Sequence, residues 1–246
     1  MPDWLVPAWP APANVRALQT LRYGGCSSAP WDGFNLGDHV GDSPDCVVAN
    51  RAMLRQRLPA EPLWLKQMHG IAAVNADFEA NFLEADAAYA HQPNRVCAVL
   101  TADCLPVLFC DRGGSVVAAA HAGWRGLLAG VLEATISKMG VSPQELLAWL
   151  GPAIGPSRFE VGDEVRAAFV AFDPAAANAF AGKSSGKWLA NIYTLARQRL
   201  RTAGIQSISG GGFCTASDHE RFFSYRREGV TGRMATLIWL ADQSSV

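Results

Sequence analysis

The sequence predicts an α+β fold in which mixed β-sheets are flanked by helices, over a length that suits one large domain or two small ones. Three observations carry that expectation. Short apolar, β-compatible runs fall at residues 96–100, 106–111 and 115–120. Segments of helical period surround them without a regular strand, helix, strand alternation, which argues against a doubly wound parallel sheet. No Ser/Gly-rich linker divides the 246 residues, a length that can bury a substantial core.

Residues 20–42 are dense in glycine and polar side chains and read as a long ordered loop, a kind of segment that often carries function. Ser43-Pro-Asp-Cys-Val-Val then opens a helix, with serine at the cap, proline at the first helical position and aspartate in the first turn. Val47, Leu54 and Leu58 form its expected buried stripe. An apolar segment at 62–65 is closed by Lys66-Gln-Met-His-Gly70, and a loop at 75–85 precedes the three central strands. Arg112-Gly-Gly114 is the turn between the last two. Residues 126–139 carry apolar side chains at 127, 128, 131, 132 and 136, a helical period that Gly140 ends. A strand at 146–150 runs into the rigid turn Gly151-Pro-Ala-Ile-Gly-Pro156. Helices are expected at 162–172 and 189–202, the second ended by Gly204, and the tail returns to strands at 222–226 and 234–240.

Half of the residues are hydrophobic and 17% are charged, the balance of a compact globular chain. A formal net charge of −1 argues against a nucleic-acid partner, and the arginines at 221, 226, 227 and 233 are diluted by Glu220 and Glu228. The first ten residues lack a positive n-region and a continuous apolar segment, and no apolar stretch is long enough to span a bilayer, so a cytoplasmic protein without membrane contact is expected. The six cysteines show no compact framework and read as free thiols or ligands. Neither a Gly-x-Gly-x-x-Gly turn after a strand nor a Walker-type loop is present.

The chemistry lies at the strand ends. His121 terminates the run Ser115-Val-Val-Ala-Ala-Ala-His just before Ala-Gly-Trp-Arg-Gly126, Cys104 sits in Thr101-Ala-Asp-Cys104, and His69 closes the 62–65 segment. Two imidazoles and one thiolate suit a borderline-soft divalent ion, zinc first, with a fourth position open to water or substrate. Zinc lowers the pKa of its water to about 7, which makes hydrolysis or deamination natural chemistry. Each residue alone is as well explained by core packing, since cysteine and an occasional histidine are common interior residues.

Lys66-Gln-Met-His-Gly70, Thr101-Ala-Asp-Cys-Leu-Pro-Val107, Ala119-Ala-His-Ala-Gly-Trp-Arg-Gly126, Gly151-Pro-Ala-Ile-Gly-Pro156 and Phe222-Phe-Ser-Tyr-Arg-Arg227 together closely resemble the bacterial YfiH family. That family is also called laccase-domain or multicopper polyphenol oxidase-like, and is related to the purine nucleoside phosphorylases of the mammalian laccase-domain type. The resemblance runs over nearly the whole chain. It implies a single α+β domain over residues 1–246, with a fold similar to the cytotoxic necrotising factor catalytic fold, and a zinc site on His69, Cys104 and His121. The activities it implies are phosphorolysis of adenosine, inosine, guanosine and methylthioadenosine, with adenosine deamination. Copper-dependent oxidation of phenols and editing of cell-wall precursors have also been attached to such proteins. The helix after Lys187-Trp188 often carries an aspartate where this chain has Asn191, a position for helix capping or substrate contact.

For phosphorolysis the candidate anion ligands are Arg22 and Arg125, whose guanidinium forks match phosphate oxygens; surface ion pairing is the equal alternative. Asn35 and Gln67 are candidates for contacts to ribose or base, and Asp103 for orienting a ligand or acting as acid and base. Asparagine in a glycine-rich turn also caps loops. A true multicopper mechanism needs more histidines than the five present, although one bound copper remains possible as a cofactor. Two rivals stand beside the zinc enzyme: a Cys104 hydrolase with His121 or His69 as base, and a zinc-stabilised binding module. Purine nucleosides and phosphate are the expected partners, with the chain a monomer or weak homo-oligomer.

Overall fold

The computed structural model describes residues 4–78, 83–184 and 186–242. The first half contains β1 (Val15–Gln19), α1 (Pro44–Arg55), β2 (Pro62–Leu63), β3 (Ala73–Asn75), β4 (Ala87–Ala90), β5 (Val96–Thr101), β6 (Leu105–Asp111) and β7 (Val117–Ala122). There follow α2 (Trp124–Ala129), α3 (Val131–Met139), β8 (Leu146–Leu150), β9 (Glu160–Gly162) and α4 (Asp163–Phe172). The chain continues through β10 (Phe180–Ser184), β11 (Lys187–Ala190), α5 (Ile192–Thr202), β12 (Ser207–Gly210), α6 (Tyr225–Glu228) and β13 (Met234–Leu240).

A six-stranded mixed sheet in the order β12-β8-β6-β7-β4-β3 packs on a four-stranded one, β1-β13-β5-β2, and a small antiparallel sheet, β10-β11-β9, stands apart from both. The strands explain the layering. In β7, Ala118, Ala120 and Ala122 join the core formed with Leu127, Leu132 and Ile136, whereas Val117 and Ala119 join the core shared with Cys97, Val99 and Ile238 of the second sheet. The six-stranded sheet is thus buried on both faces, which is why β6 and β7 read as unbroken apolar runs instead of alternating ones. In β5 the other set of side chains, Val96, Ala98 and Leu100, packs on Leu54 of α1 and on Phe34 and Leu36 of the 20–42 loop. The layers run helix, sheet, sheet, helix.

The α+β expectation with mixed sheets holds, and the three central strands and the 20–42 loop are where they were expected. Residues 79–82 of the expected 75–85 loop lie outside the described residues. Four local expectations are corrected. Ser43 stands at the cap of α1 without a side-chain bond to the helix, and α1 ends at Arg55, so that Leu58 is buried in the turn beyond it. The 126–139 helix is two helices, starting at Trp124 and broken at Gly130, whose φ of 106° is open to glycine and strained for other residues. The 189–202 helix begins at Ile192, because Lys187–Ala190 is taken into a strand against β10 and β9. Finally, 222–226 is no strand: Ser224 accepts the backbone N–H of Arg227 and caps the short α6. All six cysteines are free. Among the described residues no helix is long and apolar enough to cross a membrane.

Candidate metal centre and its two cavities

Strand register brings the three candidate ligands together. The 102–104 turn carries the chain from β5 in one sheet to β6 in the other, and the antiparallel pairing of β6 with β7 sets Pro106 opposite His121. Cys104, just before β6, therefore lies beside His121 at the end of β7. His69 enters from the third segment. The ligand atoms of His69, Cys104 and His121 all lie within 4.8 Å of one another, with Cys104 Sγ 3.8 Å from His69 Nε2. The two imidazoles meet edge to face, centroids 4.8 Å apart.

Asp86 organises this group, and sequence reasoning missed it. Its buried carboxylate accepts the His121 Nδ1 proton at 2.8 Å and the backbone N–H groups of Met68, His69 and Gly70 at 3.1, 2.9 and 2.7 Å. One side chain thus orients His121 and fastens the loop that carries His69, whose φ of 59° is left-handed and rare for a non-glycine residue. Its signal was available: Ala85-Asp-Ala-Ala-Tyr-Ala90 places a carboxylate at the head of an otherwise apolar run, just before β4.

The electrostatics follow. Burial pushes the Asp86 carboxyl up, but the bonds from His121 and from Gly70 and Met68 outweigh it and leave it below the usual carboxylate value. Burial likewise pushes the Cys104 thiol up, and the His121 charge with hydrogen bonds from both histidines brings it down to about 6. His121, lowered by burial, is raised to about 9 by Cys104 and Asp86. Both shifts favour a thiolate facing an imidazolium when no metal is bound.

These donors fit a borderline-soft divalent ion. With Nδ1 of His121 committed to Asp86, Nε2 is the nitrogen left for a metal. Tetrahedral bond lengths of about 2.0 Å to nitrogen and 2.3 Å to sulfur set a nitrogen-to-sulfur edge of about 3.5 Å, close to the His69 to Cys104 separation. His69 is exposed, so the centre has an open side. Among the described residues this is the one cluster of three or more such side chains, and the other histidines, His39, His91 and His219, stand outside it.

Two cavities open from the centre and share His69, Ala102, Cys104 and Tyr225 as a common wall. The smaller, about 280 Å³, is lined further by Trp124, Ile154, Phe159 and Ile192, with Arg125 and Arg226 at its polar edge. The larger, about 400 Å³, adds His39, Gln67, Leu100, Thr101, His121 and Arg233.

The remaining candidates divide. Arg125 lines the smaller cavity, exposed and stacked on Trp124 at 4.4 Å. Gln67 lines the larger one, its amide paired with both backbone groups of Leu100 at 2.8 and 2.7 Å. Asp103 borders the smaller cavity, but the structure gives it a fastening role in place of the expected free acid-base group. Its carboxylate accepts from Thr215 Oγ1, Ser224 Oγ and Arg226 N at 2.5, 3.0 and 2.6 Å. Arg22 lines neither cavity; it is ion-paired to Asp32 and Glu228 at 3.1 and 2.8 Å and packs over Phe223. Asn35 is 0% exposed, its amide bonded to Gly37, Asp42 and Arg233 N, so it holds the loop. Asn191 caps α5 by accepting from Thr194 N.

The family described as multi-copper polyphenol oxidoreductase laccase matches residues 16–241. A Pseudomonas aeruginosa protein named purine nucleoside phosphorylase is 56% identical over 98% of this chain and 100% of its own length. An Escherichia coli protein named purine nucleoside phosphorylase YfiH is 54% identical over the same shares. The crystal structure of a Neisseria meningitidis protein superposes with a TM-score of 0.95 at 50% identity, covering 98% of this chain and 100% of that one.

Proposed function

The chain belongs to the multi-copper polyphenol oxidoreductase laccase family, which takes in the YfiH-type proteins, and from that premise we propose that it is a zinc-dependent purine nucleoside phosphorylase that also deaminates adenosine. Adenosine, inosine, guanosine and methylthioadenosine are the proposed nucleosides, and the cytoplasm the proposed compartment, consistent with six free thiols. The observation that carries the reading is the His69, Cys104, His121 centre at the meeting of two cavities, in a chain whose relatives bear that name.

His69, Cys104 and His121 would hold the zinc. When bound, zinc supplies Lewis acidity, which serves both a leaving purine and a water that displaces ammonia from C6. The smaller cavity suits a purine: Trp124, Phe159 and Tyr225 offer faces for stacking, and Ile154 and Ile192 exclude water. Arg125, expected as an anion ligand and unpaired with any carboxylate among the described residues, lines the rim of the smaller cavity and would contact the nucleoside there. Asp86 keeps His121 in one tautomer, and Asp103 keeps the Thr215 to Arg226 segment against the 102–104 turn.

A copper polyphenol oxidase is less well supported, because several copper centres need many more histidines than one His, Cys, His cluster supplies. The thiolate facing an imidazolium favours a specific second reading, a Cys104 hydrolase acting on an amide of a cell-wall precursor. Inosine turnover by metal-analysed protein, with and without phosphate, separates the two. Phosphate-dependent hypoxanthine release that disappears in His69→Ala and Cys104→Ala supports the phosphorylase. Metal-free protein that keeps its activity until Cys104 is alkylated supports the hydrolase.

A further inference from the structure

The two cavities differ in chemistry, and the difference assigns them different ligands. Residues particular to the smaller one are mostly aromatic or aliphatic, whereas those particular to the larger one include a guanidinium, an amide, a hydroxyl and two imidazoles, with no carboxylate.

Arg233 is the cation of the larger cavity. Its Nη1 donates to the carbonyls of Thr231 and Gly232 at 2.9 and 3.1 Å, which ties down one corner of the guanidinium. Its other nitrogens have no hydrogen-bond partner and no ion pair among the described residues; the ring of Tyr225 lies 6.0 Å from the guanidinium carbon. Arg22, Arg199, Arg221 and Arg227 are each matched by a carboxylate; Arg233 is half-buried without one, as are Arg55, Arg166 and Arg197, but among these four Arg233 alone lines a cavity of the centre. Its backbone is held as well, because Arg233 N donates to the buried Asn35 at 2.8 Å.

Thr101 is the second observation. The residue is 1% exposed, it lines this cavity, and its hydroxyl is buried with no partner among the described residues. Buried hydroxyls are ordinarily bonded, so an orphan hydroxyl on a residue that lines a cavity marks a missing acceptor or donor. The pairing of β5 with β13 sets Thr101 opposite Met234, which brings Thr101 and Arg233 to the same sheet end. His39 lines the same space from its exposed side, with its Nδ1 3.4 Å from Asp38 Oδ1.

We propose that the larger cavity binds a tetrahedral oxyanion, the inorganic phosphate consumed in the reaction, through Arg233 with Thr101 and His39, while the nucleoside occupies the smaller cavity. The assignment rests on the phosphorolysis reading above. An oxygen of hydrogen phosphate forms the bond to C1′ as the C1′–N9 bond breaks; the electron pair leaves with the purine, which gains the proton that hydrogen phosphate gives up. The products are ribose 1-phosphate and the free base. A fork of unpaired N–H donors is suited to this ligand, since it meets two phosphate oxygens at once.

The test is inorganic phosphate titrated into the full-length protein and followed by calorimetry, with steady-state KM values for phosphate and inosine measured in parallel. In Arg233→Gln the phosphate affinity is expected to fall about tenfold or more and the KM for phosphate to rise with it, with a much smaller change in the KM for inosine. Arg233→Lys should recover part of the loss. Thr101→Val, which keeps the shape of the side chain, should weaken phosphate severalfold and serves if Arg233→Gln does not fold. Unchanged phosphate affinity in a folded Arg233→Gln or Thr101→Val protein that still releases purine overturns the subsite and leaves the activity standing. Arg233-dependent phosphate binding in a protein that releases no purine leaves the oxyanion site standing and removes the activity. A nucleoside 5′-monophosphate that binds through Arg233 far more tightly than phosphate overturns the assignment to the free anion.

Discussion

Asp86 Oδ1 lies 2.8 Å from His121 Nδ1, and the same carboxylate collects the three successive backbone N–H groups of Met68, His69 and Gly70. Two of the three candidate ligands are thereby positioned by one buried acid. Outer-shell partners of this kind are worth about 10–100-fold in metal affinity. Asp86→Asn, which keeps the shape but puts an N–H₂ where an acceptor is needed, is expected to weaken zinc by about that factor in a chelator competition. Unchanged zinc affinity in a folded variant would show that the histidines hold their places unaided.

Gly123 tests the packing of the centre without touching a ligand. A Cβ there would come 2.8 Å from His69 Cδ2 and 3.0 Å from Cys104 Sγ, while the backbone φ of −58° suits any residue. Gly123→Ala should displace the ligands and reduce zinc stoichiometry while the Tm of the metal-free protein changes by only a few degrees. Full zinc loading in Gly123→Ala would contradict the geometry.

The sequence made the ligands legible because each one ends or interrupts an apolar run, and motif resemblance joined them. It made the central strands legible because both faces of β6 and β7 are buried. What it hid depends on contacts between distant segments. The 222–226 stretch looks like a strand by composition, but the carboxylate of Asp103 takes the Ser224 hydroxyl and the Arg226 N–H and turns the chain into α6. Arg22 and Asn35 sit in a loop that reads as a binding segment, and only the ion pairs and amide bonds around them reveal that they fasten it. Arg233 shows the reverse case, a cation whose lack of a carboxylate is invisible in a tail that also holds Glu220 and Glu228.

That fastening role predicts a stability phenotype. Asn35→Ala leaves the N–H groups of Gly37 and Arg233 without their buried acceptor and should destabilise the protein by about 2–3 kcal/mol, measured by denaturant unfolding. The KM for inosine in the folded fraction should stay near the wild-type value. A large rise in KM with little loss of stability would restore Asn35 as a substrate contact.

The acid-base pair gives a pH prediction for the metal-free protein. Cys104 has its pKa lowered, so the stability it adds is present above the usual thiol value of 9.0 and is lost as pH falls through about 6. His121 has its pKa raised, so its contribution is present below the usual 6.5 and is lost as pH rises through about 9. Between those limits the two linkages oppose each other, because thiolate plus imidazolium holds the same one proton that the unfolded pair holds. Stability should therefore change little across that window while reactivity changes sharply. Alkylation of Cys104 by iodoacetamide should show a midpoint near pH 6. Zinc uptake at about pH 7.5 should release about one proton per ion, from His121. An alkylation midpoint near the value of a free thiol would contradict the pairing.

The most direct test of the central claim is zinc content per chain measured by elemental analysis on wild type and on Cys104→Ala, each assayed in the same sample for hypoxanthine released from inosine and phosphate. One zinc per chain with phosphate-dependent release in the wild type, and loss of both in Cys104→Ala, is the result expected of a His69, Cys104, His121 centre. Zinc retained in full by Cys104→Ala, or purine released by protein stripped of metal, would contradict it.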